Sequence, residues 1–339
     1  MGKLSWARKL IDRSDWLQNL LWNVEESTWI GHKIQNKWTN WLNFSGSYTF
    51  IDRSKDNRRL LVILAGYKDF LWSLTLDRIA RFLPADVDVC IVSSGLFSPG
   101  LVAIAERYGW SYLYTETNKV SLVQNLAISL HANANWIYKL DEDIFISEGF
   151  FDSLLEGYLR IEAEGLYNPG LCSPVLNVNG YSYITFLKSI AADEEYRERF
   201  GELKYAAEGI KAHSEGEAAK WLWQKSLPFD EVASYMRSLP FDYSTVPHRF
   251  SIGAILFERK LWETVGGMRN GLRHGGLGLD EEYLCQDCIE LSRPILVIHN
   301  VFAGHFSFGL QADTMIEYLP KIYSQLCIKE TVQIFSSVA

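Results

Sequence analysis

The 339-residue chain is short of several things that would settle its class at once. No window offers about 20 uninterrupted apolar residues, so no segment reads as a bilayer span. Cysteine is sparse and odd in number (Cys90, Cys172, Cys285, Cys288 and Cys327), which excludes a disulfide framework and points to a reducing compartment. Cys285 and Cys288 form a C-x-x-C without a second pair, so they read as neighbours on one helix face instead of zinc ligands. Positive charge is not in excess: 33 Lys and Arg against 41 Asp and Glu give a net charge of −8, which argues against a broad nucleic-acid-binding face. No apolar run follows Lys3, Arg8 and Lys9, so no secretory leader is expected. The G-K-[S/T] ending of a phosphate-binding loop and the G-x-S-x-G nucleophile elbow are both missing. A composition 48% hydrophobic and 22% charged excludes whole-chain disorder, and the length suits two domains or one large α/β domain with additions.

Aromatic residues, by contrast, are plentiful at 14%, and six of the twelve tryptophans lie within the first 41 residues. Trp6, Leu10, Leu17, Leu20, Leu21 and Val24 recur at helical spacing. With Lys3, Arg8, Lys9, Arg13, Lys33 and Lys37, they make residues 1–41 a candidate for peripheral membrane contact, or else a helical pair packed on the rest of the chain. Residues 1–57 therefore read as a Trp-rich helical extension, with 52–58 as a polar linker.

A strand–helix alternation follows. Leu60–Ala65 is a continuous apolar run, Val87–Val92 a second apolar strand, Ser111–Thr115 a third short strand and Trp136–Leu140 a fourth. Between them Phe70–Phe82 is helical in pattern, and Ser121 is placed to cap a helix carrying Leu122, Leu126 and Leu130. Ser147 opens another helix, with Phe151, Leu154, Leu155, Tyr158 and Leu159 expected inward. This order predicts an α/β fold with a mostly parallel sheet flanked by helices. Residues 181–247 are charged and helical in character and read as an insertion of two or three helices, in which Trp221 and Trp223 are core residues. Residues 248–310 return to core character, with a glycine-rich loop at Gly271–Gly278 and a late strand at Pro294–His299. A helical segment over 311–339 closes the chain.

The chemistry concentrates in Lys139-Leu140-Asp141-Glu142-Asp143, where two carboxylates follow an apolar strand. Ligands bind at the carboxyl ends of strands in an open α/β sheet. In an extended segment, residues i and i+2 point the same way, so both carboxylates would face one hard cation, Mg²⁺ or Mn²⁺, together with diphosphate oxygens. The plain alternative is an acidic turn after a strand.

With these residues the chain resembles a glycosyltransferase of the GT-A fold, similar to bacterial family-2-like enzymes that use nucleotide-sugars. Leu60 through Tyr67, the Gln124-Asn125 pair, and Tyr138-Lys139-Leu140 running into the D-x-D carry the resemblance, together with Ser251 through Arg259, Val265-Gly266-Gly267-Met268 and Gly278 through Leu284. It covers roughly residues 58–310, with 58–180 as the nucleotide-sugar-binding half, 181–247 as an insertion offering acceptor contacts and 248–310 as the acceptor and catalytic half.

What the resemblance implies is specific. Ala65, Gly66 and Tyr67 would line the base and ribose, Ser93 and Ser94 would lie nearby, and Asn125 would help fix the diphospho-nucleoside. Asp141 would approach the ribose or the metal, and Asp143 would ligate the metal. His305 would complete the shell, with His299 as second choice. Glu281, ahead of Asp280, would be the base that takes the acceptor proton. The cofactors implied are Mn²⁺ or Mg²⁺ and a nucleotide-sugar, UDP-sugar favoured. The acceptor implied is a glycan or lipid-linked glycan of a surface-polysaccharide pathway, handled in the cytoplasm at the inner face of the plasma membrane; no nucleic-acid partner is implied. The Q-x-x-R-W signature of processive synthases is absent. Two other classes stay open at this point: a nucleotidyltransferase, although Gly66-Tyr67-Lys68-Asp69 is poor in the glycine its loop would need, and a non-catalytic glycan-binding protein.

Overall fold

The computed structural model describes residues 41, 43–206, 209–270 and 278–328. Their ten strands form one sheet: β1 (Tyr48–Ile51), β2 (Arg59–Leu64), β3 (Val87–Ser94), β4 (Ser111–Thr115), β5 (Trp136–Asp141), β6 (Ile144–Phe145), β7 (Leu171–Leu176), β8 (Tyr243–Val246), β9 (Ala254–Glu258) and β10 (Ile295–His305). The order is β1-β4-β3-β2-β5-β9-β7-β10-β6, with β8 on the outside of β10. Strands β2, β3, β4, β5, β7 and β10 run one way and the other four oppose them, so the sheet is mostly parallel with β9 inserted antiparallel between β5 and β7.

The central strands are covered on both faces, which is why β2 reads as a near-continuous apolar run. Side chains alternate across the sheet: Leu60 and Val62 of β2 enter one core layer, Leu61 and Ile63 the other. The helices α1 (Trp72–Phe82), α2 (Pro99–Tyr108), α3 (Val120–Leu130) and α4 (Phe150–Glu164) connect the first half. Helix α2 shows its punctuation plainly, with Ser98 Oγ accepting from Leu101 N, Pro99 in the first turn and Gly109 left-handed at φ 69° after the end.

Several expectations change. The segment assigned to the helical extension contains β1, which pairs antiparallel with β4 and closes that edge of the sheet. The polar stretch 52–58 is pinned rather than loose, because Asp88 accepts from Lys55 N, Asn57 N and Asn57 Nδ2 at 3.0 Å each. Ser121 does not cap α3. Lys119 occupies that position, and Ser121 Oγ donates to Arg269 O at 2.9 Å. Leu159 faces solvent, while Phe151, Leu154 and Tyr158 are buried as expected.

The described residues of the 181–247 region hold five short helices, α5 (Tyr183–Ser189), α6 (Asp193–Phe200), α7 (Lys211–Ser214), α8 (Gly216–Lys225) and α9 (Phe229–Ser238), and then β8, which pairs with β10. The region is thus built into the sheet and the larger core cluster. Trp221 and Trp223 of α8 are both buried, as expected of core residues. Helix α10 (Arg259–Thr264) follows β9, α11 (Leu279–Glu290) carries buried Cys285 and Cys288 one turn apart, and α12 (Ala312–Leu326) closes the described chain. The late strand runs on past His299 to His305. Residues 1–40 and the glycine-rich residues 271–277 lie outside the described residues, so the Trp-rich helix and the loop are not placed. No helix among the described residues is long and apolar enough to cross a membrane.

Candidate active site

Chain order diverges at β2. The next strand, β3, lies on one side of it and β5 on the other, so the crevice at their carboxyl ends is a topological switch point. Leu64 and Asp141 stand in register there, and both strands turn out of the sheet side by side. The acidic segment is not extended. Asp141 ends β5, Glu142 and Asp143 form a turn, and Ile144 starts β6. Asp141 and Asp143 are therefore not aligned toward one cation by the alternation of an extended strand, and the three acids take different partners.

Glu142, the middle acid, is 7% exposed and points at the β2 loop. Its carboxylate accepts from Gly66 N and Tyr67 N at 2.9 Å each and from Trp72 Nε1 at 2.6 Å. It latches the loop after β2 onto the turn after β5. Asp141 Oδ1 accepts from Lys139 Nζ at 2.6 Å, and Lys139 also donates to Ile252 O at 2.9 Å. The Asp141 side chain keeps 31% of its surface open, yet it sits deep enough in the crevice for desolvation to raise its carboxyl above the ordinary range. Lys139 opposes that rise and Asp143 adds to it.

Asp143 is 2% exposed. Burial alone would raise its carboxyl, but His305 and Lys68 overcome burial and hold it well below the usual carboxylate range. His305 Nε2 lies 3.4 Å from Asp143 Oδ2. The strands bring them together, since β6 pairs with β10 at Ile144 and His305, and Phe306 N donates to Asp143 O at 3.1 Å. Trp223 Nε1 donates to both His305 O and Phe306 O and fixes the strand end. Gly304 is required beneath it, because a Cβ there would stand 2.5 Å from the indole.

His305 Nδ1 lies 2.9 Å from Val178 O. With Nδ1 turned to Val178 O, Nε2 is left facing Asp143: as the imidazolium it donates to the carboxylate, the form in which it lowers that carboxyl, and as the neutral imidazole it presents a lone pair that a cation between the two groups would satisfy. This donor set, one oxygen and one imidazole nitrogen, fits Mn²⁺ or Mg²⁺ as two of its ligands. Among the described residues no set of three or more His, Cys, Asp or Glu is placed to hold an ion by itself. His299, the second choice, is engaged elsewhere, with Nε2 3.0 Å from Ser244 Oγ and Nδ1 3.2 Å from Asp242.

Two lysines complete the site, and sequence reasoning missed both. Lys139 precedes the acidic run in β5, and Lys68 arrives from the β2 loop to pair with Asp143 while donating to Ser307 O at 3.2 Å. The only signal for Lys68 was its place one residue beyond the Ala65-Gly66-Tyr67 run.

Of the residues expected on the nucleotide, five lie together. Ala65 N donates to Val92 O, Ser93 Cβ lies 3.8 Å from where a Gly66 Cβ would be, and Tyr67 OH donates to Ser94 O at 3.2 Å. The Tyr67 ring is 66% exposed. Ser93 Oγ is taken by Tyr112 OH at 2.7 Å, whereas Ser94 Oγ is buried with no hydrogen-bond partner among the described residues. Asn125 is the exception. It is fully buried, its Nδ2 donates to Asn43 O and Met268 O, and its Oδ1 accepts from Trp262 Nε1 and Met268 N. All of its polar capacity is spent on joining α3 to the turn after α10.

Asp280 and Glu281 open α11, where the helix dipole favours acids. Asp280 Oδ2 accepts from Gln124 Nε2 at 3.3 Å, and Glu281 Oε1 pairs with Arg249 Nε at 2.5 Å. Burial raises the Glu281 carboxyl and Arg249 pulls it back. Glu281 also lines a small open cleft with Asn179, Tyr181, His213, His248 and Ser251. Asn179 Nδ2 and His248 Nε2 are buried atoms with no hydrogen-bond partner among the described residues.

No family model matches the chain, and no curated protein does. Among solved structures it is similar to a mannosyltransferase from Pyrobaculum calidifontis in complex with GDP-Man and Mn²⁺, at 13% identity and TM-score 0.44 over 91% of this chain and 74% of that one. It is similar to S. aureus TarS 1-349 at 10% identity and TM-score 0.43, over 79% of this chain and 65% of that one. A mycobacterial protein matches at 14% identity and TM-score 0.39, over 80% and 76% of the two chains. At these TM-scores none of the three decides fold or activity, and the functional reading rests on the geometry above.

Proposed function

We propose that the protein is a glycosyltransferase that moves a sugar from a nucleoside-diphosphate donor, UDP-sugar favoured, to a glycan or lipid-linked acceptor. One observation carries the reading: at the switch point of the sheet, the buried Asp143 carboxylate and the imidazole of His305 face each other at 3.4 Å, beside the backbone loop that follows β2. Asp143 and His305 would hold Mn²⁺ or Mg²⁺, with Asp141 at the rim toward the ribose. The bound ion supplies charge neutralisation for the leaving diphosphate.

The chain's own residues do the rest. Ala65, Gly66 and the exposed Tyr67 ring receive the base and ribose, with Ser94 Oγ as a further hydrogen-bonding group. Glu281 or Asp280 takes the proton from the acceptor hydroxyl if the anomeric centre inverts, a role worth about 10²–10⁴-fold. The cleft beside Glu281, with its unpartnered Asn179 and His248 atoms, receives that hydroxyl. Residues 1–41 supply peripheral contact with the inner face of the membrane, where lipid-linked acceptors of a surface-glycan pathway would lie.

A thermal-shift screen of UDP, GDP, CMP and dTDP, with and without Mn²⁺, tests the reading. Metal-dependent stabilisation by a diphosphate is expected, about 2.7 kcal/mol at a hundredfold excess over Kd, and Asp143→Ala should remove its metal-dependent part. A preference for triphosphates would shift the reading to a nucleotidyltransferase, and no response from any nucleotide would leave a glycan-binding protein.

A further inference from the structure

We infer that Lys68 is an exchangeable cation: it rests on Asp143 in the free protein, yields that carboxylate to the divalent ion, and transfers its ammonium to the donor's diphosphate. The inference rests on the glycosyltransferase reading and assigns Lys68 a part in it that neither the D-x-D nor its histidine supplies. Lys68 Nζ stands where the ion would, donating to the same Asp143 Oδ2 that His305 Nε2 faces, and to Ser307 O. Both cannot hold that oxygen at once, because a divalent ion and an ammonium a few ångströms apart repel in a site shielded from water.

The loop is built for this exchange. Its backbone is fixed, since Glu142 holds Gly66 N and Tyr67 N, and Lys68 O accepts from Leu71 N at 2.9 Å. The side chain is one-third exposed at 32%, while its partner Asp143 is buried. Only the side-chain torsions of Lys68 need change, which is a fast motion. Its tether to the loop beneath the proposed nucleotide directs the released ammonium at the diphosphate. Metal alone must expel a cation that has no new partner, and diphosphate alone must draw the lysine from a carboxylate that then stays buried and unpaired. Each ligand therefore prepares the site for the other, and the coupling between them is reciprocal.

The test measures binding apart from turnover. Mn²⁺ affinity is read by electron paramagnetic resonance of the free ion, with and without saturating UDP or GDP, for the full chain, Lys68→Met and Lys68→Arg. Lys68→Met should bind Mn²⁺ alone about tenfold more tightly than wild type, and the tightening of Mn²⁺ by nucleotide should shrink by about tenfold. Lys68→Arg, which retains a cation, should stay near wild type in both. If Lys68→Met binds Mn²⁺ alone no more tightly than wild type, the exchange is refuted, whatever the nucleotide does. If Lys68→Met gains Mn²⁺ affinity but no nucleotide binds either protein, the competition between lysine and metal stands and the glycosyltransferase reading falls. If neither protein binds Mn²⁺, both fall.

Discussion

Replacing Glu142 with Gln should destabilise the whole protein, although Glu142 lies between two candidate ligands and would pass for one in the sequence. Its carboxylate serves three donors at 2.6–2.9 Å with 7% exposure, so solvent has little means of replacing it. Hydrogen bonds to a charged group contribute about 1.5–3 kcal/mol each. In Glu142→Gln the one remaining oxygen can serve Gly66 N and Trp72 Nε1, while the amide nitrogen is turned on Tyr67 N, another donor. One bond is lost outright, and the two survivors each weaken by about 1 kcal/mol as the charge disappears. The sum is about 3.5–5 kcal/mol, with the lower end expected because the loop can relax toward water. Against a total of about 5–15 kcal/mol the variant should still fold.

Urea denaturation followed by tryptophan fluorescence should show the midpoint lowered by about 1 M or more. Hydrogen exchange should show the Gly66 and Tyr67 amides losing protection selectively. A midpoint unchanged within about 1 kcal/mol of stability, with both amides still protected, would refute the latch. Unchanged stability with turnover abolished would instead make Glu142 a reacting group.

Other predictions follow from the same geometry. Glu281→Gln should keep donor binding and lower turnover by about 10²-fold or more, with Asp280→Asn milder; near-wild-type turnover in both, measured beside nucleotide affinity, would remove the pair as base. Because burial raises Glu281 and Arg249 lowers it, Arg249→Met should move the acidic limb of the kcat/KM profile to higher pH, and a limb that stays put would separate Glu281 from the chemistry. Asp143 has a depressed carboxyl, so its contribution to stability is present above the ordinary carboxylate pKa of about 4 and is lost as pH falls below it. Asp143→Asn should therefore flatten the acid-unfolding curve in that region, and an unchanged slope would show that the Lys68 and His305 contacts contribute nothing to stability. Liposome flotation of the full chain and of a chain starting near Arg58 tests membrane attachment by residues 1–41, and the idea is lost if both remain in the soluble fraction.

The parts of this protein that are set by local burial are legible in its amino-acid sequence. β2 is a near-continuous apolar run, and β3 is mostly apolar, because both faces of the sheet are covered, and that condition writes itself into consecutive residues. The sequence also located the acidic turn at a strand end, the core tryptophans of α8 and the buried cysteine pair of α11. Tertiary structure decided what no period of two or 3.6 encodes. β1 joins β4, and β8 joins β10, through backbone hydrogen bonds that any side chain permits. Asn125, expected on the nucleotide, makes four hydrogen bonds to Asn43, Trp262 and Met268, residues that only the fold brings to it. The same holds for charge. Lys68 and Asp143 are 75 residues apart, and Glu142 meets its three donors across 70–76 residues. A carboxylate's identity is fixed by its residue type, but whether it binds a cation, neutralises a lysine or holds a loop depends on which donors the folded chain delivers to it.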